Sequence, residues 1–415
     1  MTARAIDRAD CQALDRDDPL ARFRARFELP DGIIYMDGNS LGPLPCAVAP
    51  RIERVIREQW GHDLITSWNR HGWIDLPHRV GARIAALIGA GDDEVVVADS
   101  TSVNLFKLAG AVLRLNPERR VVVSERGNFP TDVYMLEGLA QLLGPDYELR
   151  LVERETVLDA LDERVALLAL THVHYKTGEI FDMAAITGAA HDCGALMLWD
   201  LCHSAGALPV DLHAVGADLA IGCGYKFLNG GPGAPAYLYV AKRLQDRLEP
   251  PLAGWIGHAA PFAFEDHYRP APGIRRQLCG TPTVLSLAAL DAALEVYADV
   301  DMKAVRDKAV RLGDLFLDFI EQRCAGQGLE VACPRDGRSR GSQVALRHDE
   351  GYAIMQALIA RGVIGDFRAP DVLRFGITPL YQRYTDMWDA VDILKTILER
   401  RDWDRPEFHR RATVT

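Results

Sequence analysis

Ala195-Leu196-Met197-Leu198-Trp199-Asp200 and Leu219-Ala220-Ile221-Gly222, the second followed at once by Cys223-Gly224-Tyr225-Lys226, decide how this chain reads. Each is a short apolar run of strand length that stops at a turn. Working outward, the same pattern recurs at Val95–Ala98, Arg120–Ser124, Leu149–Glu153, Val165–Thr171 and Ala236–Val240. Helical patterns near 103–114, 132–143, 155–162 and 182–193 lie between them. Strands alternating with helices predict an α/β fold, a mainly parallel sheet flanked by helices. Such sheets hold their ligands beyond the carboxyl ends of the strands.

That rule selects residues. Thr101-Ser102, Phe129 to Asp132, Thr171-His172, Asp200 to His203 and Tyr225-Lys226 each follow a candidate strand. Any one cluster reads as an ordinary turn; five on one sheet edge read as a site. Beyond residue 283 the character changes. Helical patterns near 283–298, 301–323, 350–361 and 385–400 frame a short strand, Ser342–Leu346, and the segment Val372–Gly376. The expected organisation is an N-terminal segment, 1–45, packing with a smaller C-terminal α+β domain, 283–415, around a large ligand-binding domain, 46–282.

The 415 residues are 48% hydrophobic and 25% charged, ordinary for a globular protein. A net charge of −11 argues against nucleic acid or an anionic membrane as partner. No apolar run approaches a membrane span of about 20 residues. Met1 to Arg26 lacks the apolar core of a signal peptide. Eight cysteines without CxxC spacing suit a reduced, cytoplasmic enzyme.

Several constellations carry chemistry, each with a plainer alternative. Asp99-Ser100-Thr101-Ser102 precedes a helix, where hydroxyls and free N–H groups suit a phosphate or simply cap the helix. Phe129-Pro130-Thr131-Asp132 offers an aromatic face and a carboxylate, or a turn. His172 and His174 would share one strand face, as metal ligands do, but no second pair at zinc-like spacing completes a set. Gly230-Gly231-Pro232-Gly233 lacks the Lys-Ser/Thr of a nucleotide-binding P-loop. Arg374, in the apolar run Leu373-Arg374-Phe375-Gly376, suits a substrate carboxylate or a structural ion pair. Asp200 with Lys226, 26 residues later, suits pyridoxal phosphate, which needs an amine to anchor it and a carboxylate to keep its ring nitrogen protonated.

With these residues assembled, the chain resembles the kynureninases, bacterial type, of the fold-type I pyridoxal-phosphate superfamily. The resemblance rests on Tyr35-Met36-Asp37-Gly38-Asn39-Ser40-Leu41-Gly42, Phe129 to Asp132, Trp199-Asp200-Leu201-Cys202-His203, Gly224-Tyr225-Lys226, Gly254-Trp255-Ile256-Gly257-His258 and Arg374-Phe375-Gly376, in that order. It implies a hydrolase that converts L-kynurenine, or its 3-hydroxy form, to anthranilate and L-alanine in tryptophan catabolism. Thr281 leans toward the plain substrate. It implies pyridoxal 5′-phosphate joined to Lys226, with Asp200 on its ring nitrogen. Tyr225, Trp255, Thr101, Ser102 and Thr281 would hold the phosphate, Thr281 reaching in from a second subunit of a homodimer. Phe129, Pro130, Thr131 and Asp132 would line the ring, Thr171 and His203 complete the shell, and Arg374 grip the substrate carboxylate. Lys226 would act as base and Tyr225 as proton shuttle.

The rival within the superfamily is a cysteine desulfurase or selenocysteine lyase. Those that form a persulfide need a cysteine near the carboxylate-binding arginine, and Val363 to Tyr384 holds none, although Cys279 lies near Thr281. An aminotransferase is a second rival, and a binding protein that has lost catalysis a third.

Overall fold

The computed structural model describes residues 6–412. The outermost ends of the first and last expected segments, 1–5 and 413–415, lie outside the described residues. Seven strands form the main sheet: β1 (Val95–Val97), β2 (Val121–Glu125), β3 (Glu148–Val152), β4 (Val165–Thr171), β5 (Leu196–Asp200), β6 (Leu219–Gly222) and β7 (Tyr237–Val240). Their spatial order is β1-β7-β6-β5-β4-β2-β3, parallel throughout except for β7, which runs antiparallel to both neighbours. β1, β2 and β4 are buried along their whole length, so their runs are apolar rather than alternating until Ser124-Glu125 and Thr171 end β2 and β4. Register sets the site. Thr171 stands opposite Asp200, and Asp200 opposite Ile221, so β4, β5 and β6 end level with one another.

Helices cover both faces. On one, α1 (Thr101–Leu115) and α2 (Pro130–Leu143) bury Leu105, Leu108, Leu136 and Leu139 against Val96, Val122, Leu198 and Ile221. The Ser100 hydroxyl caps α1 by accepting from Val103 N at 3.3 Å, and Pro130 opens α2 at a position that needs no N–H donor. The helix expected over 155–162 does not form. Two 3₁₀ turns, Arg154–Thr156 and Leu158–Ala160, stand there instead. Val157 is buried while Leu158 is exposed, and a stretch this short cannot recover the cost of helix nucleation with so little to bury.

The C-terminal part builds a second, antiparallel sheet from β8 (Glu330–Val331), β9 (Gln343–Arg347), β10 (Asp366–Arg368) and β11 (Val372–Gly376), ordered β8-β9-β11-β10. The long helices α3 (Met302–Arg323) and α4 (Tyr384–Arg400) pack on it through Phe316, Phe319, Leu394 and Ile397, which meet Val344, Leu346 and Phe375. Part of the N-terminal segment joins this layer. Cys11 of the helix Arg8–Arg16 enters the same core, Arg8 pairs with Asp389 at 2.7 Å, and Ile34–Tyr35 lies parallel to Val363–Ile364. Leu20, Phe23 and Phe27 of that segment enter the core of the main sheet instead. β8 and β10 escaped the sequence reading because strands of two or three residues carry no readable period.

Candidate active site

One cavity of about 560 Å³ opens where the level strand ends meet. Thr101, Ser102, Phe129, Thr131, Asp132 and Thr171 line one part of it, and Asp200, His203, Tyr225, Lys226 and Thr281 another. Thr281 belongs to the cavity of its own chain. Pro130, Trp255 and Arg374, also singled out from the sequence, do not line it.

Lys226 follows β6 on a turn built by close backbone approach. A Cβ on Gly224 would come within 2.5 Å of the Pro235 carbonyl, and one on Gly42 within 2.5 Å of the Lys226 carbonyl. Only glycine fits either position. The Lys226 Nζ lies 3.0 Å from His203 Nε2 and 5.8 Å from the centres of both the Phe129 and Tyr225 rings. Burial, and after it the positive charge of Lys226, holds His203 well below the usual imidazole range, so the ring is neutral. Its Nδ1 is buried without a partner.

Asp200 and Asp132 meet beneath the cavity. The Cys202 amide donates to Asp200 Oδ1 at 2.7 Å and fixes that carboxylate. Burial, then repulsion by Asp200 and a hydrogen bond with it, holds Asp132 well above the usual carboxyl range. Asp132 therefore keeps its proton and donates it toward Asp200, one proton shared by two carboxyls. Burial likewise pushes the Tyr225 phenol far up, so it remains a donor.

Two thiols complete this floor. Cys202 and Cys223, beyond the ends of neighbouring β5 and β6, are hydrogen-bonded to each other. Burial raises the Cys223 thiol, but the bond with Cys202 and the charge of Lys226 outweigh it and bring it down to about 7.

The turn before α1 supplies the opposite end. Thr101 and Ser102 are the first residues of a 15-residue helix whose start lines the cavity, and a helix N-terminus favours an anion. Asp99 precedes them at φ +54°, and its carboxylate accepts from the fully buried Lys107 Nζ at 2.7 Å. The same amine donates to the Gln277 carbonyl at 2.7 Å, tying this turn to the segment that carries Thr281.

Some contributors were not visible in the sequence. Asn128 accepts from the Thr171 hydroxyl at 2.6 Å and from the Phe129 amide at 2.7 Å, and so joins two of the predicted clusters. Tyr175 sets its ring edge-on to Phe129 at 5.3 Å. His172 and His174 are not a ligand pair: His172 Nδ1 faces the Ser204 hydroxyl at 2.9 Å, and His174 Nε2 faces the Gly127 carbonyl at 3.1 Å. Among the described residues no cluster could hold a metal ion. Trp255 is 38% exposed and packs edge-on against Phe262, next to the 279 segment, where Ile256 N reaches the Cys279 carbonyl at 3.4 Å. Arg374 is 1% exposed and ion-paired: its Nε donates to Asp366 Oδ1 at 2.7 Å, and its Nη1 donates to the Tyr175 carbonyl. Of the two sequence readings of Arg374, the ion pair is present, and its Nη1 touches Tyr175, a residue of the cavity.

Comparison with known proteins gives this geometry its family. The chain is 54% identical over 413 residues to the kynureninase of Pseudomonas fluorescens, covering 98% of this chain and 99% of that one. The kynureninase of Burkholderia mallei (strain SAVP1) matches to the same extent. The family model of the kynureninase C-terminal domain matches residues 305–394. Among solved structures, the cysteine desulfurase CsdA of Escherichia coli superposes with a TM-score of 0.77 at 20% identity, over 92% of this chain and 98% of that one. C-DES, in a mutant with glycine covalently linked to its PLP cofactor, gives 0.75 at 16% identity, over 94% and 99%. Likenesses this distant establish the fold and leave the reaction open. Near-full-length identity of 54% is decisive, and the chain belongs to the kynureninase family.

Proposed function

We propose that the chain hydrolyses L-kynurenine to anthranilate and L-alanine, with pyridoxal 5′-phosphate held in the cavity around Lys226. The observation that carries this is the convergence of Lys226, the Asp132–Asp200 pair and the Thr101–Ser102 helix start on one cavity, in a chain with this family's sequence. The residues fit the cofactor. An amine, a proton-holding carboxyl pair and an anion-favouring helix terminus match its aldehyde, ring nitrogen and phosphate, and the unpartnered His203 Nδ1 is a polar atom left for a ligand.

When bound, the cofactor would supply a protonated ring as the sink for the electron pair left on removal of the α-proton. The chain's own groups do the rest. Lys226 Nζ, displaced by the substrate amine, moves the α-proton as a base, and neutral His203 accepts a hydrogen bond from that amine and holds it in place. Asp132 and Asp200 hold the proton that the ring nitrogen requires. Tyr225 keeps its phenolic proton and serves as the donor when the side-chain carbonyl is hydrated and cleaved. Arg374 is read as the carboxylate-binding residue, its orientation set by Asp366.

The working form is inferred to be a homodimer with the site near the subunit interface. Exposed apolar side chains support this, among them Trp60, Leu64, Ile65, Phe262 and Phe264, the last four 61%, 76%, 64% and 76% exposed in turn. A cytoplasmic setting suits the eight free cysteines. The division into 1–45, 46–282 and 283–415 is part of the same reading, supported by the core of the second sheet, which draws its buried residues from 1–45 and 283–415. The test is direct. Purified protein should be yellow and release fluorescent anthranilate from L-kynurenine, and Lys226→Ala should abolish both. Yellow protein that makes sulfide from cysteine but no anthranilate would overturn the reading.

A further inference from the structure

Arg374 does not stand alone. Asp366 on β10 sits opposite Arg374 on β11, which puts carboxylate and guanidinium side by side. Arg368, two residues along β10 and therefore on the same face, places its Nη2 2.7 Å from the same Asp366 Oδ2 and 3.4 Å from the Ser40 hydroxyl. Arg374 Nη2 donates to that hydroxyl at 3.1 Å. Ser40 in turn donates to Asp366 at 2.7 Å.

The charges in this cluster do not balance. Two guanidinium groups share one carboxylate. The second carboxyl nearby, Asp37, is pushed up to about 7 by burial and then by Asp366, so near neutral pH it offsets the excess only in part. Surplus positive charge in a partly desolvated place is costly unless an anion completes it. The two arginines also differ. The Arg374 side chain is 2% exposed and occupied on three sides, whereas that of Arg368 is 39% exposed and has a buried Nε without a partner. The cluster adjoins the cavity through Tyr175, whose carbonyl takes Arg374 and whose ring meets Phe129.

We propose that Arg368 is a second carboxylate-recognising residue, which with Arg374 grips the α-carboxylate of the amino-acid substrate. This rests on the reading of Arg374 as a carboxylate site. Asp366 fixes the Arg374 plane, Ser40 bridges the two guanidinium groups, and Arg368 brings donors that no contact within the chain has used up. A guanidinium suits this task because its fork matches a carboxylate's two oxygens.

The test uses holoenzyme carrying Arg368→Gln, Arg368→Lys or Arg374→Lys. L-Alanine, the carboxylate-bearing product, is titrated by the change it causes in the cofactor's absorbance, and steady-state constants are measured with L-kynurenine. Arg368→Gln should weaken alanine binding and raise KM by about tenfold, the loss of one charged hydrogen bond, with kcat nearly unchanged. Arg368→Lys, which keeps the charge beside Asp366, should recover part of the loss and guards against a folding defect. Binding of the amine analogue of kynurenine that lacks the carboxylate should not change. Unaltered alanine binding in Arg368→Gln, or an equal loss with the carboxylate-free analogue, overturns the proposal. If Arg374→Lys also leaves alanine binding intact, the carboxylate site itself is misassigned; if Arg374→Lys weakens it and Arg368→Gln does not, only the second arginine falls.

Discussion

The Lys226 amine lies 3.0 Å from Nε2 of His203, a histidine that burial and the lysine's own charge keep neutral. A neutral imidazole can accept from the amine without competing with it for charge, and so holds it over the strand ends. Replacing His203 with Ala should lower kcat/KM about tenfold or more, the worth of a hydrogen bond to a charged group. Anthranilate fluorescence measures the rate. Wild-type kcat/KM in this variant would remove His203 from the machinery.

The Asp132–Asp200 pair makes a pH prediction. Asp132 holds its proton in the folded chain well above the usual carboxyl range, near about 4, at which the unfolded chain releases it. The stabilisation is therefore complete below about pH 4 and is lost as pH rises toward the folded value. Cofactor-free protein should lose Tm over that rise relative to Asp132→Asn, which keeps a donor to Asp200 but cannot ionise. Parallel Tm curves for the two proteins would count against the shared proton.

Tyr225, protonated far above its usual range, is placed to donate. Tyr225→Phe should cost about 10²-fold in kcat, the scale of a lost general acid. Stopped-flow fluorescence of anthranilate release gives the number, and full activity would end the proton-transfer role.

Cys223 should be the more reactive of the paired thiols. With its thiol near 7 and that of Cys202 held far higher, iodoacetamide should alkylate Cys223 of cofactor-free protein increasingly as pH passes about 7. Cys202→Ala removes the stabilising hydrogen bond and should shift the midpoint upward. Peptide mass spectrometry across a pH series reads both, and preferential labelling of Cys202 would contradict the assignment.

Lys107 is fully buried between Asp99 and the Gln277 carbonyl. Lys107→Met leaves both without a partner and should destabilise the fold by about 3 kcal/mol in urea unfolding. A change too small to resolve would mean that Asp99, 30% exposed, is satisfied by water instead.

The sequence reached far where the physics is local. Seven runs marked the seven strands of the main sheet, six of them because a strand buried within such a sheet is mostly apolar, and the edge strand β3 by its alternating Leu149 and Leu151. Its punctuation, a polar cluster after five of those runs, named eleven residues that line one cavity. The segment 155–162 misled because an apolar pattern does not report whether there is anything to bury it against. Asn128 stayed hidden because its role is to join Thr171 to Phe129 across 43 residues of chain.

What the sequence determined by itself was the alternation, the strand ends and the residue types a cofactor of this kind requires. Register along β4, β5 and β6, which brings those ends level, belongs to the tertiary structure. So do the proton shared by Asp132 and Asp200, the neutrality of His203 and the sharing of Asp366 by Arg368 and Arg374. Each depends on burial and on charges brought together from distant parts of the chain, and desolvation acts only on groups that folding has already placed side by side.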